Sequence, residues 1–103
     1  MSIRIEQLQL YLDEDPSDPF NLYALALEYR KADLSKAIAL FCRLQTEHPD
    51  YVPTYYQLAQ VYQQIGEIQK ARQTYTEGIK VAIRMKDLKA VQELRAAREL
   101  VDG

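Results

Sequence analysis

One pattern occurs twice in the chain and limits its possible folds more than any other feature. The first copy reads Leu22-x2-Leu25-Ala26-x2-Tyr29, followed by Ala37-x3-Phe41 and Pro49. The second reads Tyr55-x2-Leu58-Ala59-x2-Tyr62, followed by Ala71-x3-Tyr75. Apolar residues at i, i+3, i+4 and i+7 make one stripe on an α-helix, so each copy specifies a pair of amphipathic helices. A helix pair repeated in register points to a stacked array in which neighbours bury each other's apolar faces.

The same periodicity runs outside the repeat. Ser2 can cap a first helix bearing Ile3, Ile5, Leu8, Leu10, Tyr11 and Leu12. The run from Asp13 to Pro19 breaks it, because Pro16 and Pro19 lack amide hydrogens. Asp18 before Pro19 reads as an N-cap with proline at the first helical position. A helix follows to about Lys31, then a turn over residues 32–35, then a helix from about Lys36 to Glu47. Asp50 or Thr54 starts the next helix, and Gly66 stops it in the left-handed conformation that glycine adopts at little cost. A helix from about Ile68 to Arg84 carries Ile68, Ala71, Tyr75, Gly78, Ile79 and Ala82. Asp87 caps a last helix with Leu88, Val91, Leu94, Ala97 and Val101 inward and Lys89, Glu93, Arg95 and Arg98 mostly outward. The expectation is six helices and no strand.

These residues resemble the tetratricopeptide repeat, whose pattern is W-x2-L-G-x2-Y, then A-x3-F, then P over 34 residues. The resemblance is to small stand-alone members of bacterial type, and a start at Met with an end soon after the last helix fits that expectation. It implies an all-α, α-α superhelix (a solenoid) forming a single domain over residues 1–103. Its parts would be an N-terminal half-repeat at 2–13, repeat one at 19–51, repeat two at 52–85 and a capping helix at 87–101. Ala26 with Ala37, and Ala59 with Ala71, are small where paired helices approach; Tyr29, Tyr62, Phe41 and Tyr75 fill space between successive helices. There are departures. Leu22 and Tyr55 stand for the family tryptophan, Ala26 and Ala59 for its glycine, and Ile83 where the second unit should end in proline, so that helix is expected to run on towards Met85. The first unit is also one residue shorter between its helices, and it lacks a counterpart of Gly66.

Composition excludes several functions. With 48% hydrophobic and 27% charged residues the chain is a folded domain, and its apolar runs are too short to span a membrane. The N-terminus has no secretory pattern, so a cytoplasmic location is expected. One cysteine, Cys42, and one histidine, His48, lie about 240° apart around one helix, which assembles neither a nucleophile–base pair nor a zinc site. Cys42 reads as a small filler or an exposed bystander, and His48 as a helix end. The acidic run Asp13, Glu14, Asp15 and Asp18 lacks the calcium-loop pattern and reads as a solvated connector. No enzyme, metal or cofactor is expected. The net charge of −2 is wrong for a protein that lives on phosphates, and the basic stretch Lys80, Arg84, Lys86 and Lys89 has no interleaved aromatic, so no nucleic-acid partner is expected. Charge is uneven: residues 1–66 hold 5 basic and 9 acidic side chains, residues 67–103 hold 8 and 6.

Function is therefore sought on the leftover stripe of the first helix of each unit. Phe20, Tyr23 and Leu27, then Tyr56, Gln60 and Gln63, are not needed by the core pattern. In proteins the repeat resembles, this face lines a concave groove for a peptide, and aromatic plus amide side chains suit a peptide backbone. The family's carboxylate clamp of Lys and Asn is not matched, since Tyr23, Leu27 and Gln57 occupy those places. The expected function is a noncatalytic protein–protein interaction module binding a protein or peptide partner. The alternative is a homo-oligomer that self-associates through the same face or a repeat end. The competing reading of the aromatics is purely structural: Phe20 and Tyr23 against the first helix, or Tyr56 against Tyr23.

Overall fold

The structure is a computed structural model that describes residues 3–102. Ser2 and its expected capping role lie outside them. Among the described residues there are six α-helices and no strand. The chain divides into two compact units, Met1–His48 and Pro49–Gly103, each a three-helix assembly.

The first unit contains α1 (Ile3–Glu14), α2 (Pro19–Arg30) and α3 (Leu34–Glu47), with α2 packed on both of the others. In α1 only Ile5, Leu8 and Leu12 are buried, while Ile3, Leu10 and Tyr11 face outward. The three fall at i, i+3 and i+7 and form the single stripe by which α1 packs on α2. The α2 start is as the sequence specifies: the Asp18 carboxylate accepts from the Phe20 amide at 2.9 Å and Pro19 opens the helix. Leu22, Leu25 and Ala26 are buried, and each fully buried leucine is worth roughly 1.5–3 kcal/mol.

The turn between α2 and α3 is shorter than its sequence implies. Asp33 is an extended N-cap whose carboxylate accepts from the Lys36 amide at 3.2 Å, so α3 begins at Leu34 instead of about Lys36. That cap explains the missing glycine. Amides 32 and 33 both return to the Tyr29 carbonyl, at 2.9 and 2.6 Å, and the chain re-enters a helix without a left-handed residue. Ala37, Phe41 and Leu44 are buried, Cys42 is half-buried, and His48 caps the end of α3 by donating its amide to the Leu44 carbonyl at 2.7 Å.

The second unit contains α4 (Pro53–Gln64), α5 (Ile68–Arg84) and α6 (Leu88–Asp102), with α5 packed on both α4 and α6. Neither expected cap starts α4. Its N-cap is Val52, without a side-chain bond, and Pro53 opens the helix. Thr54 is fully buried inside the first turn, and Asp50 pairs with Arg84 at the other end of the neighbouring helix. Proline at the first position removes one amide, and the Thr54 and Tyr55 amides donate to the Tyr51 and Val52 carbonyls at 3.3 and 3.2 Å, so these amides need no side-chain cap.

Gly66 closes α4 at φ +83°, with the Glu67 amide reaching back to the Tyr62 carbonyl at 2.8 Å and Gly66 to Gln63 at 3.0 Å. This is a Schellman closure. The end of α5 repeats it with a different residue: Lys86 sits at φ 59°, Asp87 bonds the Ala82 carbonyl at 2.9 Å and Lys86 bonds Ile83 at 3.1 Å. The helix runs long as expected, from Ile68 to Arg84 with Met85 as its C-cap. The Asp87 carboxylate then accepts from the Ala90 amide at 3.1 Å and caps α6.

The core of this unit joins Tyr55, Ala59, Tyr75, Ile79, Val81, Ala82, Val91 and Leu94. Leu88 is not part of it: expected inward, it is 73% exposed at the first position of α6. Ala97 and Val101 are half-buried against the core, and Ile68 is largely outward.

The two units match at the repeat positions. Ala26, Ala37, Ala59 and Ala71 are all fully buried, and Phe41 and Tyr75 are the largest fully buried side chains. Tyr29 and Tyr62 are half-buried, and each carries a lysine over its ring: Lys36 at 5.3 Å and Lys70 at 5.8 Å from the ring centroids. Each lysine directly precedes the small alanine of its own repeat. The one-residue difference in the connections leaves this cation–π contact in place in both.

Candidate functional site

The second unit holds the site. Tyr55 and Tyr56 are adjacent on α4, so their side chains diverge by about 100°. Tyr55 turns into the core, 3% exposed, and its hydroxyl donates to the Pro49 carbonyl at 2.6 Å. Burial pushes its phenol pKa up, with the Glu77 carboxylate adding to the rise, Arg84 opposing it and Asp50 adding a smaller push. Tyr55 therefore serves to anchor the start of α4.

Tyr56 turns the other way. It is half-buried, its ring edge-on to Tyr75 with centroids 6.2 Å apart and planes at 72°. Gln60 lies one turn further along α4 and Gln63 follows it. The Tyr75 hydroxyl donates to Gln63 Oε1 at 2.6 Å, which ties the α4 amide to the α5 phenol and fixes the amide's orientation. These side chains form one wall of a pocket of about 330 Å³. The opposite wall is α6, through Glu93, Ala96, Ala97 and Leu100. The two alanines make the space, since side chains larger than a methyl at 96 and 97 would fill it. Leu100 is 82% exposed at its rim.

Three of the six groove residues expected from sequence, Tyr56, Gln60 and Gln63, thus line one cavity. The other three lie on α2 of the first unit. Phe20 is 60% exposed, Leu27 is half-buried, and Tyr23 is half-buried with its ring edge-on to Phe41 at 6.2 Å. The α6 wall is not legible as part of a site, because α6 reads as a capping helix with a polar outer face. The available signal is Leu100, an apolar residue that the core pattern of α6 does not use. Tyr75 reads as a core residue alone; it is 1% exposed and still contributes to the pocket floor.

Several other polar side chains are engaged locally. Asp13 accepts from Gln9 at 2.9 Å, Asp15 from Ser17 at 3.0 Å, and Asp18 from the Phe20 amide. Arg72 pairs with Asp102, which pins the end of α6 to α5, and Arg98 donates to Thr76 at 3.2 Å. No helix among the described residues is long and apolar enough to cross a membrane.

A model of the tetratricopeptide repeat family matches residues 29–98. The solution structure of a tetratricopeptide repeat domain protein from Salinibacter ruber is 43% identical, with a TM-score of 0.83 over 86% of this chain and 91% of that one. A crystal structure of a tetratricopeptide repeat domain protein from the same organism is 41% identical, with a TM-score of 0.80 over 84% of this chain and 98% of that one. A Bordetella parapertussis protein of known solution structure shares the fold at 20% identity, with a TM-score of 0.84 over 99% of this chain and 90% of that one. A comparison with curated proteins gave no match. The repeat is in general a noncatalytic scaffold for protein interaction. The paired helices, their matched small and large positions, and a family match over residues 29–98 lead to one conclusion: this chain belongs to the tetratricopeptide repeat family.

Proposed function

We propose that the chain is a noncatalytic interaction module that docks a segment of a partner protein on the face carrying Tyr56, Gln60 and Gln63. The observation that supports it is the pocket itself, in which these three residues meet an α6 wall across about 330 Å³. Tyr56 gives contact area at low entropy cost, and amides can both donate to and accept from a peptide backbone. In the first unit, Phe20, Tyr23 and Leu27 are the proposed contact set on the equivalent helix. The test is Ala96→Tyr, which fills the pocket from an exposed helix position without touching the core. Partners captured from the source cells by the unaltered protein should be lost by this variant at unchanged helicity. Retention of all of them would reject the pocket as a docking site.

Self-association is the second reading, supported by the exposed apolar residues Leu88 and Leu100 of α6, 73% and 82% exposed. Light scattering decides it. A mass of 12.0 kDa at high concentration would exclude a homo-oligomer.

A further inference from the structure

We propose that the α4–α6 pocket takes a basic side chain, arginine or lysine, from the docked segment. The inference rests on the docking reading above and specifies its chemistry. Only one charged residue lines the pocket, and it is a carboxylate, Glu93. The other wall is tyrosine and amide. Aromatic faces attract cations and repel anions, so both walls select the same sign. An apolar side chain would offer the half-exposed Glu93 carboxylate no hydrogen bond, and an acidic one would meet like charge. A guanidinium offers the carboxylate two parallel bonds and offers the Tyr56 ring a flat cation.

The surrounding charges permit this. Lys89, one turn earlier on α6, stands 4.0 Å from Glu93, and both side chains are well exposed, at 86% and 55%. A pair so screened by water is held weakly, and Lys89 itself does not line the pocket. Arg72 and Arg84, the other cations of this unit with carboxylate partners, are occupied on Asp102 and Asp50.

The experiment uses three small probes, Nα-acetylarginine amide, Nα-acetylnorleucine amide and Nα-acetylglutamate amide, titrated into the protein with NMR detection at the Ala96 and Ala97 methyls and the Gln60 and Gln63 side-chain amides. The arginine probe should shift these signals saturably with a dissociation constant on the order of 1–10 mM. The norleucine and glutamate probes should bind at least about twofold more weakly, and Glu93→Gln, which keeps size and helical preference, should weaken the arginine probe by about two- to fivefold. Equal binding of the norleucine probe, or an unaltered affinity in Glu93→Gln, overturns the charge selection while leaving a docking pocket. Absence of any shift at these positions with all three probes overturns the charge selection and the docking reading together.

Discussion

Gly78 on α5 lies directly against Tyr55 on α4 in the second unit. A Cβ built at Gly78 would lie 2.5 Å from the Tyr55 Cβ and 3.3 Å from Leu94 Cδ1. The Tyr55 Cβ is anchored to its backbone, so the helices themselves would have to part. Gly78→Ala gains about 1 kcal/mol of helix propensity, and the overpacking should exceed that. The expected result is a net loss of about 1–3 kcal/mol, read from urea unfolding, with a fall in Tm of about 4–8 °C per kcal/mol. An unchanged or raised midpoint would show that α4 and α5 have slack.

The two Schellman closures make opposite predictions. Lys86 holds φ 59° with a side chain that prefers not to, and Gly66 holds φ +83° with open space where a Cβ would sit, nothing lying within 4 Å of it. Lys86→Gly should stabilise the protein by about 0.5–1 kcal/mol, and Gly66→Ala should destabilise it by about 1 kcal/mol through backbone strain alone. Both are measured by thermal or urea unfolding.

The capping aspartates should outweigh the one that does not cap. Asp33→Ala and Asp87→Ala each remove a carboxylate that accepts from a helix amide, and each should cost about 1 kcal/mol. Asp50→Ala removes only an exposed pairing with Arg84 and should leave the unfolding midpoint nearly unchanged. A large loss at Asp50 would restore it as the start signal of α4.

Tyr55 gives the protein an alkaline limit. Its phenol pKa is raised in the folded state from 10.0, chiefly by burial. The folded state therefore holds the proton where the unfolded chain releases it. The associated stability is complete below about pH 10 and is lost as pH rises through the folded value. Tyr55→Phe should flatten that alkaline decline. It should also cost about 0.5–1.5 kcal/mol at neutral pH, because the bond to the Pro49 carbonyl is gone. The check is the urea midpoint from pH 8 to pH 11 for both proteins.

Local signals on the chain are legible where a single residue dictates a conformation. Pro19 behind Asp18, Gly66 and Asp87 mark helix ends because ring closure, a missing Cβ and a short carboxylate act within a few residues of themselves. The left-handed Lys86 carries no such signal. Lysine does not favour that conformation, and the closure is imposed by α6 turning back onto α5. The starts of α3 and α4 differ from expectation for local reasons: the Asp33 carboxylate caps α3 before Lys36, and Val52 with Pro53 opens α4 without a side-chain cap.

By itself, the sequence determined the six helices, the repeat that pairs them and most of the residues each pair buries, because 3.6-residue periodicity and small–large alternation are properties of the chain read locally. It also separated the two tyrosines, since a step of about 100° sends neighbours to different faces. Only the tertiary structure decided what Tyr56 faces. The Glu93, Ala96, Ala97 and Leu100 wall lies some forty residues further along and meets Tyr56, Gln60 and Gln63 only because α5 holds α4 and α6 on the same side of itself. A cavity is a relation between helices, and no helix encodes it alone.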